Sequence, residues 1–212
     1  MVALGHKTTL PVTLSNMIDH ANAVSRGFNH DMNSQPLLVC DMPFLSYQCG
    51  EERAVIEAGK IIKETFAKGV KLEGAEPEIQ RVISRLVRMG IPVMGHLGLT
   101  PQSYLNQGLK KQGEKDFEQE RIKKDALLLE SIGCFSLVLE HIPELLAKEI
   151  RETLKIPIIG IGAGRYCDGQ IRVTADLLGL TNKQPPFCSP LVNGKKIFET
   201  KLKEWVESER SN

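Results

Sequence analysis

The chain has little of what marks a nucleic-acid binder, a membrane protein or a disulfide scaffold. Aromatic residues make up only 5% of its 212 positions, too few for platforms that stack single-stranded bases. Neither sign of charge is in excess: 27 basic residues face 26 acidic ones, for a formal net charge of +1. A nucleic-acid partner normally calls for a basic excess or a clustered basic stripe, so that class is set aside. The densest charge run, Leu109 to Lys124, mixes both signs and reads as a solvated loop entering a helix. No apolar run is long enough to span a bilayer, and the first residues show no signal-peptide pattern. Five scattered cysteines, an odd number without C-x-x-C spacing, fit reduced thiols in the cytoplasm better than disulfides or zinc.

What the chain does have is alternation. The apolar runs "PLLVCDM" (Pro36 to Met42), "GVKLEG" (Gly69 to Gly74), "IPVMGHLG" (Ile91 to Gly98), "CFSLVLE" (Cys134 to Glu140) and "IPIIGIGAG" (Ile156 to Gly164) read as strands. Segments of helical periodicity separate them: Glu51 to Lys68, Glu78 to Gly90, Lys123 to Gly133 and Glu144 to Leu154. A helix also begins within Leu10 to Gly27, "QPPFCSP" (Gln184 to Pro190) offers one last short strand, and Gly194 to Arg210 reads as a terminal helix. Length and composition predict one domain over residues 1–212.

Such alternation implies parallel strands joined by right-handed crossovers, in an open doubly wound sheet or a closed barrel. Strand after strand ends in a chemically capable residue: Asp41, Glu73, His96 and Glu140. A barrel brings those ends to one shared mouth, whereas an open sheet gathers its ligand at one switch point. A TIM-type (β/α)8 barrel is therefore expected. About six strands are recognisable where eight are needed, and the deficit lies at the N-terminal side.

The chemistry concentrates in "VKLEG". Residues two apart on a strand share a face, so Lys71 and Glu73 converge while Val70 and Leu72 turn away. Asp41 reads either as an exposed strand-tip acid or, beside Glu73, as an oxygen ligand for Mg2+. Lys71 is either an ion-pair partner or the neutraliser of a substrate carboxylate. Glu140 reads as a strand-end salt bridge or as a general base with a raised pKa. His96 has no carboxylate at a diagnostic sequence spacing and reads as structural. Cys40 lacks a companion histidine and is not expected to be a nucleophile. The glycines Gly160, Gly162 and Gly164 miss the dinucleotide fingerprint, because Arg165 and Cys167 stand where it requires glycine. A tight turn leaving a strand suits them better.

Taken together and in order, "LPVT", "DMPFLSYQ", "VKLEG", "IPVMGHLGLTPQS", "LVLE" with Pro143 just after, "LAKEI", "IPIIGIGAG" and "CDGQ" resemble the motifs of the ketopantoate hydroxymethyltransferases. The resemblance runs from about Leu4 to Leu180 and is far more specific than any single glycine motif. It implies a (βα)8 barrel enzyme of pantothenate and coenzyme A biosynthesis. Such an enzyme transfers a one-carbon unit from 5,10-methylenetetrahydrofolate to 3-methyl-2-oxobutanoate, giving 2-dehydropantoate. The resemblance further implies Mg2+ and a homo-oligomer, decameric in bacterial members, while the lack of a targeting signal points to the cytoplasm. By motif, Asp41 is a metal ligand that also meets the substrate, Lys71 binds substrate, Glu73 serves the metal site and Glu140 accepts the proton. It assigns no residue to the folate.

The family's first strand–helix and second strand have no counterpart in the sequence, nor has the "GDS" motif that ends that strand with a metal ligand and a substrate-binding serine. The family's "GGYK" segment is replaced by "NQGLKKQG" (Asn106 to Gly113). An N-terminally truncated barrel is therefore expected, with little or no transferase activity from these residues alone. Two competing readings are a non-catalytic barrel remnant that docks onto other subunits and a Mg2+-dependent C–C lyase acting on a 2-oxo acid.

Overall fold

Strands and amphipathic helices alternate from Val39 to Gln170 in the computed structural model, which describes residues 4–28, 35–182 and 184–211. The strands are β1 (Val39–Asp41), β2 (Gly69–Glu73), β3 (Val93–Gly98), β4 (Ser136–Glu140), β5 (Ile158–Ile161) and β6 (Gly169–Gln170). They form one sheet in the order β1-β2-β3-β4-β5-β6, every adjacent pair parallel. Each strand thus lies beside its sequence neighbour, the ordering of a barrel wall and not of a doubly wound sheet. The result is a six-stranded curled half-barrel in which β1 and β6 each have one paired edge among the described residues.

The helices are α1 (Leu14–Arg26), α2 (Glu51–Glu64), α3 (Pro77–Arg88), α4 (Tyr104–Gln107), α5 (Asp116–Ser131), α6 (Glu144–Thr153), α7 (Thr174–Leu177) and α8 (Gly194–Arg210). Thr13 caps α1 reciprocally with Asn16: its hydroxyl accepts from the Asn16 N–H at 3.2 Å, and the Asn16 side chain accepts from the Thr13 N–H at 3.0 Å. Helix α3 opens with Pro77 in its first turn and closes with Arg85 and Arg88 in its last. Both choices suit the orphan N–H groups and the helix dipole. It buries Ile79, Val82, Ile83 and Leu86. Leu86→Ala should lower unfolding free energy by about 2–5 kcal/mol, read as a shifted urea midpoint at unchanged slope, because Leu86 is fully buried.

Alternation along each strand separates two environments. Val70, Leu72, Leu137, Leu139 and Ile158 join the apolar layer beneath the helices. Lys71, Glu73, His96 and Glu140 lie on the opposite face, out of that layer. One expectation about the elements needs correcting. Gln184 to Pro190 forms no strand, since its described residues are loop and turn, and Pro185 and Pro186 have no N–H to give a ladder. The sixth strand instead lies in "CDGQ", where Gly169 and Gln170 pair with Ile159 and Gly160. The glycines of "GIGAG" do form a turn, with Gly162 and Gly164 at φ of 65° and 79°.

The chain divides into two compact units, His6–Gln170 and a smaller one of Met1–Gly5 with Ile171–Asn212. The first carries all six strands. The second contains α7 and α8, and α8 exposes Phe198, Leu202 and Trp205. No helix of the described residues is long and apolar enough to cross a membrane.

Candidate active site

Four strand ends of the first unit bring their polar side chains into contact. Lys71 Nζ lies 2.7 Å from Asp41 Oδ1 and 3.0 Å from His96 Nδ1. On the far side of the ring, His96 Nε2 is 3.2 Å from Glu140 Oε2. The chain register dictates this convergence: Asp41 pairs with Lys71, Glu73 with His96, and Gly98 with Glu140. A carboxylate, an ammonium, an imidazole and a second carboxylate therefore stand in line across β1 to β4.

Their charge states follow from burial and from one another. Burial works against the Lys71 ammonium, but Asp41, Glu73 and Glu140 outweigh it and hold its pKa above the ordinary lysine value. Lys71 is thus a fixed cation. Burial likewise pushes Glu140 up to about 7, despite the opposing pull of Lys71. Glu73 also rises to about 7 through burial, against Lys71 and the Gln102 N–H. His96, only 2% exposed, is held well below the usual histidine range by burial and then by the Lys71 charge. It is neutral. Cys40 points into the helix-side core, where burial raises its thiol to about 12, in keeping with an inert cysteine.

A second network braces Glu73 from above. Gln102, in the short 3₁₀ turn Pro101–Ser103, donates its backbone N–H to Glu73 Oε2 at 2.9 Å. Its side-chain amide donates to the Met42 carbonyl at 2.8 Å and accepts from Tyr47 Oη at 3.1 Å and from Gln48 Nε2 at 3.0 Å. Tyr47 Oη in turn accepts from the Glu73 N–H at 3.2 Å. The loops after β1 and β3 are thereby tied together over Glu73. The residues flagged by sequence (Asp41, Lys71, Glu73 and Glu140) share one site. Sequence reasoning placed His96 among the strand ends at the mouth but read it as structural, and it missed Gln102 and Tyr47 as parts of the site. Pairing "GHLG" in parallel with "VLE" was the one signal that could have found His96.

Among the described residues, no three His, Cys, Asp or Glu side chains converge as a ready-made metal cage. Asp41 and Glu73 still present hard carboxylate oxygens on one face, and the Asp41 side chain is 49% exposed. Mg2+ is commonly held by one or two carboxylates, with waters and substrate oxygens completing its shell. The donor set fits that ion. A cavity of about 820 Å³ lies elsewhere: it runs from Gly74 and Gly98 outward between α3 and α5 to Ser131. Its charged lining is mixed, with Glu76, Arg121, Lys124 and Asp125 together. The contacting strand-end groups are the better candidate for chemistry.

The sequence profile of the ketopantoate hydroxymethyltransferase family matches residues 1–212. The chain belongs to this family. A 3-methyl-2-oxobutanoate hydroxymethyltransferase of Prochlorococcus marinus (strain AS9601) is 71% identical over 212 residues, covering all of this chain and 82% of the relative. The enzyme of the same name from Synechococcus sp. (strain CC9605) is 60% identical over 212 residues, covering all of this chain and 78% of the relative. The resemblance drawn from the ordered motifs is thus borne out, and the lineage of this hydroxymethyltransferase chain is that of an enzyme. Among solved structures, a putative phosphonomutase from Burkholderia cenocepacia J2315 is similar with a TM-score of 0.51 at 12% identity. It covers 99% of this chain and 81% of its own length. At that identity the likeness concerns the fold alone, and it fits a TIM-type barrel.

Proposed function

We propose that these residues carry out hydroxymethyl transfer from 5,10-methylenetetrahydrofolate to 3-methyl-2-oxobutanoate, giving 2-dehydropantoate. The observation that carries this reading is the Asp41–Lys71–His96–Glu140 line, which sets a permanent cation beside a carboxyl whose pKa burial raises to about 7. Removing a proton next to a ketone calls for such a pair: a base poised near neutral pH and a positive charge for the anion that forms.

Glu140 takes the C3 proton of the 2-oxo acid. Lys71 balances the negative charge on the substrate carboxylate or on the enolate oxygen, and Asp41 holds the ammonium in place. The C3 carbon then bonds to the one-carbon unit; one water is consumed and tetrahydrofolate leaves. Asp41 and Glu73 are the residues that would hold Mg2+, and the Gln102–Tyr47 brace keeps Glu73 aligned. When bound, that ion supplies Lewis acidity at the ketone and so lowers the barrier to C3 deprotonation.

The test supplies the purified chain with Mg2+ and 3-methyl-2-oxobutanoate in D2O and follows loss of the C3 proton by NMR. Methylenetetrahydrofolate is then added and 2-dehydropantoate measured. Mg2+-dependent proton exchange is the expected result, with little or no product from these residues alone and folate-dependent product from the extended form. Cleavage of a 2-oxo acid without folate would support the lyase reading instead. A protein of the same sequence extended by the relatives' preceding residues is assayed in parallel. Inertness of both forms would overturn the proposal.

A further inference from the structure

His96 Nε2 is an anomaly. The atom is buried and has no aligned hydrogen-bond partner, although Glu140 Oε2 lies only 3.2 Å away. A buried ring nitrogen left without a partner is costly, and native proteins rarely leave one so. Catalytic hydrogen bonds in ligand-free enzymes, however, are often misaligned until substrate closes the site.

The opposite ring nitrogen fixes the chemistry of this one. An ammonium only donates, so the Lys71 Nζ contact at 3.0 Å makes His96 Nδ1 an acceptor. A neutral imidazole accepting at Nδ1 carries its single proton on Nε2, the atom facing Glu140. The geometry points to His96 as a positioning residue: Lys71 selects its Nε2–H tautomer, and that N–H closes onto one oxygen of Glu140. The other oxygen is then left to take the substrate proton. This inference rests on the proton-abstraction reading of Glu140 given above.

The arrangement suits a general base. A charged histidine there would compete for the proton or quench the base by forming an ion pair. A neutral donor orients the carboxylate without doing either. The charged and titratable groups around the ring are Lys71 and Glu73 on β2, Asp41 on β1, and Glu140 and His141 at the end of β4. Of these, Lys71 and Glu140 are the ones in contact with the ring nitrogens.

Two measurements test this. The first needs no turnover: the 15N shifts of His96 in the labelled full chain should show a protonated Nε2 and an unprotonated Nδ1. Lys71→Met should erase that bias, and Glu140→Gln should move the Nε2–H signal. A ring protonated at Nδ1, or an Nε2–H signal indifferent to Glu140→Gln, would overturn the proposal. The second compares C3-proton exchange in two variants. His96→Asn keeps an acceptor towards Lys71 but cannot reach Glu140, whereas His96→Gln places an amide N–H near the Nε2 position. His96→Asn should lose about 10²-fold in exchange at saturating 2-oxo acid, with KM little changed, and His96→Gln should recover much of that loss. Equal rates in wild type and His96→Asn would overturn the proposal, as would a loss confined to KM, which would assign Nε2 to the substrate. If neither the wild-type chain nor its extended form exchanges a proton, the functional reading fails, and the ring shifts alone decide this one.

Discussion

Glu140→Gln is expected to lower C3-proton exchange by about 10²- to 10⁴-fold, the range that a positioned general base supplies. Affinity for the 2-oxo acid should change little, because the amide fills the same space. The pH dependence provides a second readout. Glu140 acts as a base only when ionised, so wild-type exchange should rise with pH through about 7 and level off above it. The stability of the chain should move the other way. Burial raises the Glu140 pKa from 4.5 to about 7, so between those values the native state binds more protons than the unfolded one. The contribution is fully present below the unfolded value and is lost as pH rises through the folded one. At about 1.4 kcal/mol per pH unit, this window amounts to ~3 kcal/mol. Urea midpoints recorded from pH 4 to 8 should fall more steeply in wild type than in Glu140→Gln. Parallel curves for the two proteins, with exchange undiminished in the variant, would remove Glu140 from the role of base.

Why the sequence disclosed Glu140 but not its neighbour has a physical answer. Period-two alternation is local, so the shared face of Lys71 and Glu73 could be read from five consecutive letters. Strand-end acids are equally visible, because an apolar run that stops at a carboxylate is a one-dimensional pattern. That signal sufficed for the barrel-like ordering of the strands and for Asp41, Lys71, Glu73 and Glu140. His96 is different: its meaning lies in Lys71 on one side and Glu140 on the other, reached through the pairings of β2 with β3 and of β3 with β4. No sequence spacing encodes those contacts. Gln102 escaped for the same reason, since its backbone N–H and not its side chain holds Glu73. The sixth strand was misplaced because a two-residue ladder at Gly169–Gln170 carries no hydrophobic pattern, whereas "QPPFCSP" carries apolar letters that never pair.

Gly98→Ala should damage stability and catalysis together, for a reason visible only in the packed strands. Gly98 ends β3 at φ 95°, a region in which an L side chain is strained. A Cβ at this position would run into the Glu140 carbonyl oxygen and into Ile142 Cγ2 at 2.7 Å. That carbonyl also accepts the Leu99 N–H at 2.8 Å, so the contact cannot relax without loosening the join between β3 and β4. Backbone strain and overpacking each cost about 1–3 kcal/mol. A combined loss of roughly 3 kcal/mol or more is therefore expected in the urea unfolding free energy. Whatever fraction remains folded should still exchange the C3 proton slowly. Its Glu140 backbone has been displaced from His96, and a shift of about 1 Å at a reacting group can cost about 10²-fold. Gly90→Ala serves as the comparison: Gly90 has a similar φ of 83° but open space where a Cβ would stand. It carries the backbone strain without the collision and lies far from the strand end that bears Glu140. Stability should fall in both variants and further in Gly98→Ala, whereas exchange per folded molecule should fall only in Gly98→Ala. Equal exchange in the two would show that Glu140 tolerates movement of its strand, and that its position is set by its side-chain contacts and not by the β3–β4 join.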